Sequence, residues 1–242
     1  MKRVIVITSG KGGVGKTTIA TELAKYLAHE GHAVLLATTD PATHLDFSLG
    51  RTLENLTVAR IDPKEETKKN SDKVMAEAGK NLDEQGKNLL AEDLQSPCTE
   101  EIAVFQAFSR VIRESSKHFV VMDTAPTGHT LLLLDATGSY HRDILRHTGE
   151  TSAKLVTPMM RLQDPAQTKI MIVTLPETTP VLEAEHLQND LQRAGIKPWG
   201  WIINSSLAAA ETHHPLLQKR AQSEREQIAK VRDKLSSRFA VV

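Results

Sequence analysis

Cysteine is almost absent from this sequence, and long apolar runs are missing. The single cysteine, Cys98, excludes an intrachain disulfide and a four-cysteine metal site. No apolar run approaches the length of a membrane-spanning helix. Because an apolar segment begins already at Val4, we expect no signal peptide. These absences lead us to expect a cytoplasmic protein.

Charge of one sign is not in excess either. Lys and Arg together number 30, as do Asp and Glu, so the formal net charge is zero when the histidines are neutral. Proteins that bind a nucleic acid duplex usually carry a basic excess, because they neutralise phosphates. We therefore expect no nucleic acid among the partners. The length of 242 residues suffices for one large domain, or for one domain with an insertion.

What the sequence does contain is a glycine-rich loop in a specific context. The stretch from Ser9 to Thr18, SGKGGVGKTT, fits the phosphate-binding pattern G-x-x-x-x-G-K-[ST]. Residues 4–7 before it predict a buried parallel strand, and residues 19–29 after it predict an amphipathic helix. This order aims free backbone N–H groups and the helix dipole at phosphate oxygens. We predict an α/β, three-layer P-loop NTPase with a mostly parallel sheet; the alternative is a chance glycine-rich turn.

The loop supplies most of the predicted nucleotide ligands. Lys16 is expected to reach the β- and γ-phosphates of ATP, and the Thr17 hydroxyl is expected to bind Mg²⁺. The glycines have no Cβ to block the approach of a phosphate. The positions predicted to contact the nucleotide here are Gly10, Gly12, Gly13, Val14, Gly15, Lys16, Thr17 and Thr18.

Two aspartates follow predicted strands, at the edge where ligands of open α/β sheets bind. Asp40 comes directly after the apolar run 33–39, and we interpret it as facing the γ-phosphate and a water. Its alternative is an aspartate that starts a turn before a proline. Asp123 ends the apolar run 119–122, and we predict that it holds Mg²⁺ directly or through water.

A change of composition divides the middle of the chain. Residues 63–95 are rich in Lys, Glu, Asp and Asn, with a thin apolar stripe that predicts helices with one solvated face. We predict one domain over 1–242, with a small helical insertion at about 63–98. Residues 96–98 are interpreted as a break before a helix that starts at 99–101.

The last third of the sequence continues the alternation of strands and helices. The predicted strand 199–204 ends in Asn204, which is placed to hydrogen-bond an adenine. Its two tryptophans, Trp199 and Trp201, are interpreted as packing residues. The other predicted elements are a strand at 169–175, helices at 180–194 and 215–235, and a strand from 239 onward.

Lys11 makes the loop more specific, because the ordinary pattern leaves its position free. A second lysine there resembles the deviant P-loop family, which includes the nitrogenase iron protein, the septum-site and plasmid-partition ATPases, and the ion-pump and tail-anchor ATPases. The resemblance implies that Lys11 crosses a dimer interface to the nucleotide of the partner. Otherwise Lys11 is a solvated lysine on a surface loop.

Further segments narrow the resemblance. The string DTAPTGHT at 123–130 is similar to the branch of anion-pump and tail-anchor ATPases. Residues 96–114, 130–144 and 173–204 resemble the C-terminal half of the bacterial arsenite-pump-driving ATPases, and the likeness covers nearly the whole chain. It implies ATP hydrolysis coupled to export of arsenite or antimonite through a membrane pump, with the protein cytoplasmic and peripheral to the inner membrane when bound there.

The resemblance also implies roles for single residues at the nucleotide. Lys16 matches the P-loop lysine, and Lys11 matches the signature lysine. Asp40 matches the aspartate that positions the attacking water, and Asn204 matches a residue that contacts adenine. Residues 123–130 match switch II, which links the nucleotide to a metalloid site.

Cys98 matches a cysteine that binds arsenite or antimonite, and Ser96 and His129 match accessory ligands nearby. Soft centres such as arsenic(III) select thiolate ligands. Because this chain offers one thiolate, further ligands must come from another half, another subunit or the weaker donors Ser96 and His129. The alternative is a buried cysteine that fills a gap near a helix start.

The resemblance implies several partners: a second ATPase half or a homodimer, a membrane arsenite pump and an arsenic metallochaperone. A nucleotide-switched chaperone for tail-anchored membrane proteins is the alternative function. That class needs a broad apolar groove and often carries a C-x-x-C pair, whereas this chain has one cysteine and a charged insertion. A third interpretation is a degenerate half that binds ATP poorly.

Overall fold

The structure is a computed structural model that describes residues 3–38, 53–123, 158–210 and 212–242. Within these ranges, seven strands form one sheet. They are β1 (Val4–Thr8), β2 (Val34–Thr38), β3 (Leu56–Arg60), β4 (Phe119–Asp123), β5 (Thr168–Thr174), β6 (Gly200–Ile203) and β7 (Phe239–Val241). Their order is β3-β2-β4-β1-β5-β6-β7, and all neighbours pair in parallel.

Helices connect these strands. They are α1 (Lys16–His29), α2 (Pro63–Glu77), α3 (Glu84–Asp93), α4 (Pro97–Arg113), α5 (Pro158–Gln163), α6 (Thr178–Arg193) and α7 (Pro215–Lys230). A π-helical turn, Val231–Leu235, continues α7. The predicted helix 215–235 therefore changes its winding at residue 231.

The alternating side chains of β1 show that helices cover both faces of the sheet. Val4 and Val6 belong to one buried cluster, together with residues of α4, α6 and the end of α7. Ile5 and Ile7 belong to a second cluster, which contains the alanines on the inner face of α1. Because successive side chains of a strand point to opposite faces, the two clusters are two separate layers. The predicted three-layer α/β architecture is confirmed.

The start of α4 corrects the interpretation of residues 96–98 as a break. The helix begins at Pro97, with Ser96 as its N-cap, and Ser96 Oγ accepts a hydrogen bond from the Thr99 N–H at 3.4 Å. Proline is common at the first position of a helix, because an N–H group at that position has no hydrogen-bond partner within the helix and the φ of proline is already helical. Cys98 is therefore part of the first turn of α4.

Residues 63–93 are mainly helical, and their charged faces are solvated. Each helix is capped by an aspartate: Asp62 accepts from two backbone N–H groups of α2, and Asp83 accepts from one of α3. Neither helix contains a buried residue. α2 packs along α4, where Glu66 and Arg110 form an ion pair. The division of the chain into one domain with an insertion stays a prediction.

Candidate functional site

The glycine-rich loop lies at the carboxyl edge of the sheet, between β1 and α1. β1 is an inner strand flanked by β4 and β5, and β6 lies beyond β5. Since all these strands are parallel, their carboxyl ends meet at this edge, which is where open α/β sheets bind ligands. The edge brings the loop close to residues from β2, β4 and β6 that lie far from it in sequence.

Backbone conformation requires glycine at positions 13 and 15, and close packing requires it at positions 10 and 15. Gly13 and Gly15 have φ of +76° and +90°, in the left-handed region that side chains avoid. A Cβ on Gly10 would lie 2.4 Å from the backbone of Glu183 in α6, and one on Gly15 would lie 2.2 Å from Asn204 Nδ2. A Cβ on Gly12 would meet nothing within 4 Å, so the backbone there is open on its Cβ side.

No side chain caps the N-terminus of α1, a feature that it shares with α6 and α7 and that distinguishes it from α2, α3 and α4. Gly15 occupies the N-cap position, and the first turn holds no acidic residue. Its free N–H groups and the helix dipole therefore favour a bound anion. Lys16 begins the helix and is half-buried, and in the described part of the chain its ammonium has no hydrogen bond or ion pair. This combination leaves positive charge facing the loop.

Thr17 and Thr38 both donate hydrogen bonds to Asp123. Thr17 Oγ1 lies 2.5 Å from Asp123 Oδ2, and Thr38 Oγ1 lies 3.1 Å from the same oxygen. Asp123 is only 3% exposed, and the parallel register sets it beside Thr38 on β2 and beside Ile7 on β1. A hydroxyl and a carboxylate that converge in this way are the hard oxygen donors that suit Mg²⁺. These residues therefore fit the predicted ion.

Asn204 follows β6 and contacts the loop directly. Its Nδ2 donates to the Val14 carbonyl oxygen at 2.9 Å, and its backbone N–H donates to the Thr174 carbonyl oxygen at 2.8 Å. Sequence patterns suggested only an adenine contact for this residue. The structure shows that it also supports the loop, while the adenine contact stays a prediction.

The other predicted site residues are placed as follows. Lys11 and Thr18 are exposed. Asp40 and His129 lie outside the described residues, as does the side chain of Cys98. Ser96 Oγ lies 3.1 Å from Thr99 Oγ1 in addition to its capping bond. Among the described residues, no cluster of three or more His, Cys, Asp or Glu side chains is placed to hold a metal ion.

Two residues near this edge were not predicted from the sequence. Thr38 carried a usable signal, because it is a polar residue at the carboxyl end of an apolar strand. Glu224 carried none, because it stands in a helix whose many charges indicated a solvated surface; in the structure it is 1% exposed.

In the described part of the chain, no helix has the length and apolar character needed to cross a membrane.

The sequence matches the model of the anion-transporting ATPase family over residues 2–161 and 134–242. The chain belongs to this family. It is 62% identical over 238 residues to an arsenical pump-driving ATPase of Escherichia coli, which covers 98% of this chain and 41% of the relative. A protein of the same name from Acidiphilium multivorum is 60% identical over 238 residues, with the same coverage of 98% and 41%. The predicted resemblance to the arsenite-pump-driving ATPases is confirmed.

A more distant relative matches a shorter part of this chain. The ATPase ASNA1 homolog 1 of Paramecium tetraurelia is 36% identical over 141 residues, which is 54% of this chain and 42% of that protein. The chain spans less than half the length of the Escherichia coli and Acidiphilium multivorum proteins, at 41% of each.

Proposed function

We propose that this chain hydrolyses ATP and that the hydrolysis drives export of arsenite or antimonite through a membrane pump. The observation that carries the proposal is the convergence of Thr17 and Asp123, 2.5 Å apart, at the uncapped start of α1 beside Lys16. The identity of 62% to an arsenical pump-driving ATPase supports the choice of transported anion.

The residues of the loop have distinct tasks in this proposal. The open backbone around Gly12 and the N–H groups of α1 bind the phosphates, and the Lys16 ammonium neutralises the β- and γ-phosphate oxygens. Thr17 and Asp123 hold Mg²⁺, which when bound neutralises the charge that develops on the transferred phosphoryl group. Asp40 orients the attacking water, and Asn204 contacts the adenine.

Lys11 completes a second nucleotide site in the proposal. Its side chain is exposed on the loop, and in the described part of the chain its ammonium makes no ion pair. It is therefore accessible to a nucleotide held by a facing molecule. The facing molecule is either a second copy of this chain or a separate ATPase half.

The metalloid ligands are Cys98, Ser96 and His129. Ser96 caps α4, and this capping fixes the turn of backbone that carries Cys98. One thiolate does not close a site for arsenic(III), so the remaining donors come from His129 and from the facing half. The membrane pump, and an arsenic metallochaperone that delivers the metalloid, are the further partners. The protein then works at the cytoplasmic side of the inner membrane.

The test is ATP hydrolysis by the full chain with Mg²⁺, with and without arsenite. Lys16→Ala should abolish turnover, because it removes the charge that holds the β- and γ-phosphates. Lys25→Ala is the matched control, since Lys25 lies on the same helix and pairs with Glu22 at 2.7 Å. Equal turnover in the two variants would disprove the site. If ATP is hydrolysed but the rate does not respond to arsenite with both halves present, the proposed transport of arsenite is wrong.

A further inference from the structure

Glu224 is a buried carboxyl group beside the candidate site that the proposed reaction does not use. It lies on α7, a helix whose other acidic residue, Glu226, is exposed. Glu224 is 1% exposed. Burying a carboxyl group is costly unless hydrogen bonds replace the lost water. Its hydrogen bonds therefore indicate what the residue does.

Glu224 binds the turn that follows β6. Its Oε2 accepts a hydrogen bond from Ser206 Oγ at 3.1 Å and another from the Ala208 N–H at 3.0 Å. Ser206 Oγ in turn accepts from the Ala209 N–H at 3.3 Å. The turn has an unusual shape, because Ser205 has a φ of +57° without being glycine. A left-handed residue of this kind persists only where its surroundings hold it.

The same turn begins at Asn204, which supports the glycine-rich loop. Asn204 donates to the Val14 carbonyl oxygen at 2.9 Å, and its Nδ2 lies 2.2 Å from the place where a Cβ of Gly15 would be. A shift of the turn therefore moves a side chain that is in direct contact with the loop. Hydrogen bonds join Glu224 to Ser206 and Asn204 to the loop, and the backbone of Ser205 connects the two.

We infer that Glu224 is a positioning residue that fixes the turn 205–209, so that Asn204 holds the glycine-rich loop in the shape that binds phosphate. The inference rests on the proposed nucleotide-binding function. It adds to that function a residue that lies far from the loop in sequence and acts on the loop without touching the nucleotide.

Contacts other than those of Glu224 also attach α7 to the rest of the fold. Lys230 pairs with Glu185 of α6 at 2.6 Å, and Arg220 pairs with Glu177 at 2.9 Å. Val231, just after α7, is fully buried in the core. Arg220 also lies 3.7 Å from Glu224 Oε1, whereas the Lys230–Glu185 pair and the burial of Val231 do not involve Glu224. We therefore expect its loss to act on the turn and the loop while α7 stays docked.

The first experiment measures amide hydrogen exchange in the full chain without nucleotide. Glu224→Ala should speed exchange in peptides that cover 204–209 and in peptides that cover 10–17. Glu224→Gln keeps an acceptor oxygen and should restore most of the protection, whereas Glu226→Ala should change neither segment. Faster exchange confined to 204–209 would overturn the inference. If Glu224→Ala does not fold, Ser206→Ala removes one of the same bonds with a small change of volume.

The second experiment measures the affinity for a fluorescent ATP analogue. Glu224→Ala should weaken binding about tenfold, the scale of one buried hydrogen bond. In an Asn204→Ala background the same substitution should have no further effect, because the two residues act in series. Penalties that add would overturn the inference. A wild-type chain that binds no nucleotide would disprove the proposed function, and the exchange experiment would still decide the role of Glu224.

Discussion

The hydroxyl of Thr17 donates a hydrogen bond to Oδ2 of Asp123 across 106 positions of sequence. Thr17 belongs to the first turn of α1, and Asp123 is the last residue of β4. The contact exists because β4 pairs with β1 in parallel, so both strands end at the same edge. Thr38, from the other neighbour of β4, donates to the same carboxylate oxygen at 3.1 Å. The carboxylate is thus held from two sides.

Thr38→Val should weaken the use of Mg²⁺ in hydrolysis. The substitution keeps the shape of the side chain and removes one of the hydroxyl groups that donate to Asp123. Loss of one hydrogen bond to a charged group corresponds to roughly a tenfold effect. We expect a higher Mg²⁺ requirement for ATP hydrolysis, measured by titrating Mg²⁺ at saturating ATP.

Thr8→Val is the control for this prediction. Thr8 lies at the carboxyl end of β1 and is fully buried, and its hydroxyl has no hydrogen-bond partner among the residues that the structure describes. Its replacement therefore removes a hydroxyl of the same kind without removing a bond. Identical Mg²⁺ titrations for Thr38→Val and wild type would contradict the positioning of Asp123 by Thr38.

Gly15→Ala should destabilise the protein more than Gly31→Ala. Both glycines have positive φ, at +90° and +82°, so both variants carry a strain of about 1–2 kcal/mol. Gly15→Ala adds a clash, since its Cβ would lie 2.2 Å from Asn204 Nδ2, whereas a Cβ on Gly31 meets nothing within 4 Å. Urea unfolding should rank the variants, and equal losses would show that Asn204 moves aside.

Gly12→Ala separates binding from folding. Its Cβ would meet no atom of the described residues within 4 Å, and its φ is not positive, so stability should stay close to that of the wild type. A phosphate that approaches the backbone would meet the added methyl group, so nucleotide affinity should fall. Unchanged affinity, measured with a fluorescent ATP analogue, would show that phosphate does not approach at Gly12.

Glu66 should make stability depend on pH. Burial raises the pKa of Glu66, but hydrogen bonds from Arg110 and Lys69 outweigh it, so the pKa lies below its usual 4.5. A carboxyl group with a lowered folded-state pKa contributes stability above its unfolded pKa and loses it as the pH falls through the folded value. Because Arg110 is half exposed, we expect less than about 1 kcal/mol.

The measurement is urea unfolding of wild type and Glu66→Gln, near neutrality and well below pH 4.5. The difference in free energy of unfolding should be present near neutrality and vanish in acid. Glu65→Gln is the control, since Glu65 is 71% exposed and lies 3.8 Å from Lys69. A constant difference at every pH would mean that packing, and not the ion pair, explains the effect.

A residue of the site could be predicted from the sequence only where a local sequence pattern marks it. Lys16, Thr17 and Asp123 each stand at a fixed place relative to an apolar strand, so pattern and topology place them together. The contact between Asn204 and Val14 depends on the order of strands in the sheet, and no local sequence pattern predicts that order. Glu224 was hidden because a buried carboxylate on a charged helix looks the same in sequence as an exposed one.

The start of α4 likewise could not be predicted from the local sequence alone. Ser96 and Pro97 are as typical of a helix start as of a loop. What decides between them is the packing of the following residues, since Ala103 and Ala107 are buried. Ser96 and Pro97 are compatible with a loop or with a helix start, and tertiary packing stabilises the helix.

Cys98→Ser should abolish stimulation of hydrolysis by arsenite. The substitution keeps the size of the side chain and removes the thiolate that a soft centre prefers. Basal hydrolysis should persist, because Cys98 lies on α4 and outside the loop between β1 and α1. The assay is an arsenite titration of ATP hydrolysis with both halves present. Equal stimulation of wild type and Cys98→Ser would leave the cysteine as a packing residue.

Lys11→Ala should bind ATP and fail to turn it over. Lys11 is exposed, so its loss leaves the fold and its own loop intact, while the nucleotide of the facing subunit loses a lysine. Hydrolysis and nucleotide affinity are measured separately on the full chain. Wild-type turnover of Lys11→Ala at saturating ATP would show that the lysine is merely solvated.

Mixing two inactive variants tests whether Lys11 acts in trans. In a dimer of Lys11→Ala with Lys16→Ala, the site that retains Lys16 faces a subunit that retains Lys11. One of its two sites is therefore complete, and random pairing should restore about a quarter of wild-type turnover. The control replaces Lys16→Ala with the double variant Lys11→Ala/Lys16→Ala, which supplies no signature lysine and should restore nothing. Equal turnover in both mixtures, or none in either, would exclude a lysine that crosses between two copies of this chain.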